Sequence, residues 1–211
     1  MDRRDFSKTA AAALAAVASP AWSQWAWKEG THFVRLPRPA PVAAPAGKIE
    51  VLEFFWYGCP HCNELEPSLE EWVGRLPADV AFRRVPVGFA SVHEMHQRLF
   101  YALESMGKLD ALHRKIFAAI HVQRQRLDRE ADQAAFVAAQ GVDGAQFTRL
   151  WRDAAVAQKV QQAKRLVDAY KIDGVPAIGV HGRFYTAGSL AGDNKRSLQV
   201  ADFLIQQVRK G

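Results

Sequence analysis

Hydrophobic and polar positions change their rhythm several times along this chain. From Ile49 to Tyr57 almost every residue is apolar, β-branched or aromatic, which predicts a central strand covered on both faces. Asn63 to Leu76 takes up helical spacing through Leu65, Leu69, Trp72, Val73 and Leu76, and Pro67 inside that stretch is expected to kink the helix. Val80 to Val87 reads as a second strand. From His93 to Tyr170 apolar residues recur at intervals of three and four, beginning with Met95, Leu99, Phe100 and Leu103. Gly107, Gly141 and Gly144 punctuate this run, which predicts an all-helical block. Strands return at Pro176 to Val180 and Arg183 to Thr186, around the hairpin signal His181-Gly182. A last amphipathic helix covers Lys195 to Lys210, with Leu198, Ala201, Leu204, Ile205 and Val208 on one face. Ahead of these elements, Thr31 to Leu36 fits a short edge strand, and residues 37–47, with four prolines, fit an extended connector.

The order β–α–β, helical block, β–β–α predicts an α/β protein with a thioredoxin-like fold and an inserted all-helical domain. Residues 49–92 and 171–211 form the thioredoxin-like domain in this reading, 93–170 the helical insertion, and 24–48 an N-terminal segment with the Pro-rich connector. Composition agrees with a globular chain: 49% of the 211 residues are hydrophobic and 24% charged, enough for a sizeable core. The net charge of +6 does not indicate nucleic acid, because the basic residues are spread in short groups and no recognition motif accompanies them. A mildly cationic, solvated surface is the simpler account.

Residues 1–23 read as a secretory signal. Arg3-Arg4-Asp5-Phe6-Ser7-Lys8 opens it, a mild Ala-rich run follows from Thr9 to Ala18, and Ala21-Trp22-Ser23 supplies small residues for cleavage after Ser23. The paired arginines resemble a twin-arginine signal. The apolar run is too short to span a bilayer. The alternative is a frayed Ala-rich helix of the mature fold. Export places the chain where disulfides persist.

That setting matters because the chain has two cysteines, both in Cys59-Pro60-His61-Cys62. Two intervening residues on a first helical turn keep the Cα atoms within disulfide range. The loop closed is tiny, so the pair is a poor structural staple and is suited to opening and closing. Cys59 follows a buried strand and is placed at a helix N-terminus, where unpaired N–H groups and the macrodipole stabilise a thiolate. Pro60 fits an early helical position, and His61 adds positive charge or a donor when it faces Cys59. Cys59 is thus expected to be the exposed attacker, and Cys62, one turn in, the covered resolving thiol. Stabilising the thiolate favours the dithiol and makes the disulfide a stronger oxidant, by about 30 mV per pKa unit.

Glu53 is flanked by residues that predict burial, which raises a carboxyl pKa. Lying upstream of Cys59, it is placed to take or relay the Cys62 proton; the alternative is an edge-face Glu paired with a surface cation. In Gly174-Val175-Pro176-Ala177 a proline opens a strand. On local grounds an ordinary trans turn proline is the simpler reading, although a cis bond beside the CxxC turn would aim Val175 at the sulfurs. Zinc ligation by Cys59, His61 and Cys62 with His93 or His96 lacks a second CxxC or an HxxxH. His32, His113, His121 and His181 read as surface or packing residues, and Trp56, Trp72 and Trp151 as core.

Val51-Leu52-Glu53-Phe54-Phe55, Cys59-Pro60-His61-Cys62 and Gly174-Val175-Pro176-Ala177, in this order around a helical insertion, resemble the DsbA family of bacterial periplasmic thiol:disulfide interchange proteins. The resemblance implies that client thiols exchange through Cys59, that Cys62 resolves, and that Pro60 and His61 tune the potential. It further implies proton transfer by Glu53, substrate docking at Val175-Pro176 through a cis bond, and reoxidation by a membrane quinone-linked partner of the DsbB type. The twin-arginine-like start departs from the general secretory signal usual in the family. The expectation is a periplasmic dithiol oxidase that needs no cofactor and acts on exported proteins with free thiols. A reductase or isomerase on the same scaffold is the nearest alternative, and a non-covalent binder of unfolded chains a more distant one. No N-terminal dimerisation domain is visible, which weighs against an isomerase, and a monomer is expected.

Overall fold

The all-apolar strand becomes the hub of the sheet. In the computed structural model, which describes residues 27–211, β2 (Ile49–Phe55) is buried at every position. It pairs in parallel with β3 (Val80–Pro86) and antiparallel with β4 (Ala177–Val180). β5 (Phe184–Ala187) and the two-residue edge strand β1 (Val34–Arg35) complete the five-stranded order β1-β5-β4-β2-β3. The signal-sequence reading falls on residues 1–23 and lies outside the described residues.

Helices cover both faces of β2, as its lack of alternation requires. On one face lie α1 (Pro60–Val73) and α8 (Asn194–Arg209), whose Leu65, Leu69, Leu198 and Leu204 join Val51, Ile178 and Val180 in one apolar cluster. The other face carries α2 (Ser91–Ser105), α3 (Leu109–His121), α4 (Glu130–Ala139), α5 (Gly144–Arg152) and α6 (Ala154–Tyr170). Their Leu99, Phe117, Phe147 and Val160 share a second cluster with Leu52 and Phe54. No helix among the described residues is long and apolar enough to cross a membrane.

Several local expectations shift. The N-terminal edge strand shortens to Val34–Arg35, and β5 starts one residue later, at Phe184. A one-turn helix, α7 (Gly188–Ala191), follows β5; four residues are too few for periodicity to announce. α1 runs from Pro60 to Val73 with Pro67 inside it. The β4–β5 turn places His181 and Gly182 at φ 50° and 65°, the left-handed pair that a primed hairpin turn needs.

Candidate active site

The site forms where β2 runs out and α1 begins. Cys59 is the N-cap of α1, extended at φ −84° and ψ 117°, with no side-chain capping bond of its own. Pro60 follows at the start of the helix, where its missing N–H costs nothing. The turn is closed by the Cys59 N–H donating to the Trp56 carbonyl at 3.0 Å. Gly58 in that turn has no room for a side chain, since a Cβ would run into the Trp56 ring.

Both cysteines are free thiols, and both are buried. Cys62 is fully covered, but Cys59, expected to be exposed, retains only 8% of its surface. It is less open because the segment before β4 folds over it. The Val175-Pro176 bond is cis, contrary to the local reading and in line with the resemblance, and the Val175 carbonyl accepts from the Cys59 thiol at 3.5 Å. Val175 thus stands directly beside the sulfur. A groove of about 620 Å³ adjoins it, lined among others by His61, Pro176, Tyr185 and Leu190.

Electrostatics separate the two sulfurs. A hydrogen bond from the Cys62 thiol is the largest influence on Cys59, ahead of the opposing cost of burial. With the Cys62 and His61 backbone N–H groups and the His61 charge, it brings the Cys59 pKa from 9.0 down to about 6. Burial pushes the Cys62 thiol far up, helped by its bond to Cys59 and by the charges of Cys59 and Glu53. His61 acts on Cys59 first through its main chain and then through charge. Its imidazole is 69% exposed and lies 3.2 Å from Glu64 Oε2.

Glu53 lies on β2 with no exposed surface. Burial, then the nearby Glu66 charge, raise its pKa from 4.5 to about 8, against the pull of Arg84. Arg84 Nε, on β3, sits 3.0 Å from Glu53 Oε2, but neither Glu53 oxygen nor that Nε has an aligned hydrogen bond. The guanidinium instead donates through Nη2 to Glu66 Oε2 at 2.9 Å. Glu66 Oε1 is 3.1 Å from His113 Nε2, and His113 Nδ1 is 2.8 Å from the Tyr57 hydroxyl. Burial lowers the His113 pKa and keeps the ring neutral. The ring therefore donates to the Glu66 carboxylate through Nε2–H and accepts from Tyr57 at Nδ1. Glu66 is held below the usual carboxylate range despite burial, by the hydrogen bond from His113 and by the charge and hydrogen bond of Arg84.

The chain Glu53–Arg84–Glu66–His113–Tyr57 escaped sequence reasoning. Reading His113 as a surface or packing residue is corrected: it is a buried hydrogen-bonding link from α3 to α1 and to the turn before Cys59. His121 likewise reaches in, its Nε2 lying 2.8 Å from the Tyr57 carbonyl. The available signal was charge within faces expected to be buried, namely Glu66 beside Leu65 and Leu69, and Arg84 in a strand. His93 and His96 pack against the Trp56 ring, with ring centroids 4.2 and 6.0 Å away.

Comparison with known proteins finds relatives over most of the chain. The family described as the DSBA-like thioredoxin domain matches residues 91–199, from the start of α2 into α8. Curated relatives extend the match across the cysteines. The thiol:disulfide interchange protein DsbA of Azotobacter vinelandii is 44% identical over 86% of this chain and 85% of its own. That of Pseudomonas aeruginosa is 38% identical over 98% of this chain and 97% of its own. Among solved structures, Pseudomonas aeruginosa DsbA superposes with a TM-score of 0.82 at 40% identity, covering 86% of this chain and 94% of that one. The Neisseria meningitidis oxidoreductase NmDsbA1 gives 0.74 at 27% identity, covering 87% and 94%.

Proposed function

The chain belongs to the DsbA family of thiol:disulfide interchange proteins and is a disulfide oxidoreductase, and from that premise we propose that it donates the Cys59–Cys62 disulfide to exported clients through Cys59. The observation that carries this reading is the inequality of the sulfurs: Cys59 lies at the helix N-terminus beside the Val175 carbonyl, while Cys62 is sealed.

A client thiolate attacks Cys59, forming the client–Cys59 bond as the Cys59–Cys62 bond breaks and Cys62 leaves with the electron pair. Cys62, whose thiolate is strongly disfavoured by burial, takes a proton supplied by the neutral Glu53 carboxyl. The client's second thiolate then attacks the client sulfur and displaces Cys59. Two electrons have passed from client to protein, and Cys59 leaves as the thiolate that its surroundings stabilise. Val175 and Pro176 offer backbone for an extended client strand, and Pro60 and His61 tune the potential.

The same reading includes reoxidation by a membrane quinone-linked protein of the DsbB type, a periplasmic location reached after cleavage behind Ser23, and a monomer. It also keeps 49–92 with 171–211 as the redox domain and 93–170 as its insertion. Wild-type protein is expected to oxidise a reduced two-cysteine peptide and to equilibrate with glutathione at or above the glutathione potential. Cys59→Ser is expected to be inactive, and Cys62→Ser to accumulate mixed disulfides visible by mass. Peptide oxidation by Cys59→Ser at the wild-type rate overturns the assignment, and equilibration well below glutathione makes the protein a reductase.

A further inference from the structure

Arg84 is in contact with two buried carboxyl groups, and it treats them unequally. Glu66 receives an aligned bond from Nη2 at 2.9 Å, whereas Glu53 has only an unaligned approach of Nε at 3.0 Å. Glu66 also receives the neutral His113, which Tyr57 fixes from the other side. With both carboxyls ionised the cluster would carry an uncompensated buried negative charge, which is costly in a medium of low polarity. One proton removes that charge, and the hydrogen bonds decide where it sits. Glu66 has donors on both oxygens and no need of a proton, while both Glu53 oxygens lack one.

We propose that Glu66 is a positioning residue for proton transfer at Cys62: by holding Arg84 and His113 to itself, it leaves Glu53 as the carboxyl that carries the mobile proton. This rests on the reading of Glu53 as the Cys62 proton source and adds what keeps that source loaded. The groups acting on Glu53 are Arg84 from β3, Glu66 and Cys62 from α1, Cys59 at the α1 N-cap, Tyr57 from the turn before it and, through Glu66, His113 from α3. β4, on its other side, is Ala-Ile-Gly-Val and brings no titratable group, and Asp202 of α8 is occupied by the Trp72 indole N–H at 2.8 Å. The length of Arg84 matters to the device. One guanidinium reaches both carboxyls and loads them asymmetrically through its separate nitrogens.

The test is a 13C NMR titration of the glutamate carboxyls in the reduced full-length protein. In the wild type, Glu53 is expected to titrate near pH 8 and Glu66 to stay ionised throughout the neutral range. Glu66→Gln removes a negative neighbour and frees Arg84, so the Glu53 midpoint falls by about one pH unit or more, and Glu66→Asp brings it back towards wild type. A Glu53 midpoint unmoved by Glu66→Gln overturns the proposal. Should that variant not fold, the wild-type spectrum decides alone: a proton on Glu66 with Glu53 ionised at neutral pH overturns it equally. Glu53→Gln separates this from the reading beneath it. It is expected to slow peptide oxidation at least about tenfold. An unchanged rate refutes Glu53 as the Cys62 proton source, whatever Glu66 does to Glu53.

Discussion

At the scale of single residues, the two cysteines differ because one hydrogen bond and one boundary fall between them. The Cys62 thiol donates to Cys59 and is itself shut in, so a single contact lowers one pKa and raises the other. Cys62→Ala removes that donor and is expected to move the Cys59 midpoint upward from about 6, as read from the pH dependence of alkylation. His61→Ser is expected to raise it as well, since it removes a charge while keeping the backbone N–H. An unchanged midpoint in Cys62→Ala would assign the thiolate's stability to the helix N-terminus and His61, without the Cys62 thiol. The roles proposed for Cys59, Cys62 and Glu53 could be argued from sequence because each rests on a neighbour in the same segment. Glu66, Arg84 and His113 could not be joined that way. They come from α1, β3 and α3, and only the packing of those elements brings their nitrogens and oxygens within 3.1 Å of one another.

At the scale of elements, the hairpin turn carries more than its own strands. Gly182 accepts from the Ala40 N–H at 2.8 Å and donates to the Tyr170 hydroxyl at 2.7 Å, tying the Pro-rich connector and the end of α6 to the sheet. Its φ of 65° is in the left-handed region, and a Cβ there would collide with the Ala40 carbonyl oxygen. Gly182→Ala is therefore expected to cost about 2 kcal/mol or more in urea unfolding, well beyond the penalty for a left-handed alanine alone. A cost below about 0.5 kcal/mol would mean that the connector moves aside freely. The hairpin was legible because His181-Gly182 is a local signal, as were the long helices, whose periodicity repeats over several turns. What local pattern left out was the cover over Cys59. The segment at Val175 lies 116 positions along the chain from Cys59, and only β4 pairing beside β2 brings it there.

At the scale of the whole molecule, helices α2 to α6 and the sheet share a core, so the site reports on global stability. Phe54 and Phe55 of β2 stand in the same cluster as Phe117 of α3 and Phe147 of α5, and His113 of α3 bonds to Glu66 of α1. One cooperative unfolding transition is expected, and the site's ionisation is linked to it. Cys59 in the reduced fold has its pKa at about 6, below the ordinary 9.0 that the unfolded chain recovers. Between these values the unfolded state binds more protons, so stability rises with pH from about 6 to about 9, and the contribution is lost as pH falls through 6. Discounted for solvent screening at a partly accessible sulfur, it amounts to about 1 kcal/mol at pH 7 and grows towards pH 9. Glu53 runs the other way: its pKa is raised from 4.5 to about 8, and the stability this represents is lost as pH rises through that window. Because Glu53 is present in both proteins, comparing the reduced wild type with reduced Cys59→Ser largely cancels it. The gap between their urea midpoints is expected to be small below pH 6 and to widen steadily towards pH 9. A gap that stays flat across this range would mean that the fold does nothing for the thiolate, and the inequality on which the proposed disulfide donation depends would be lost with it.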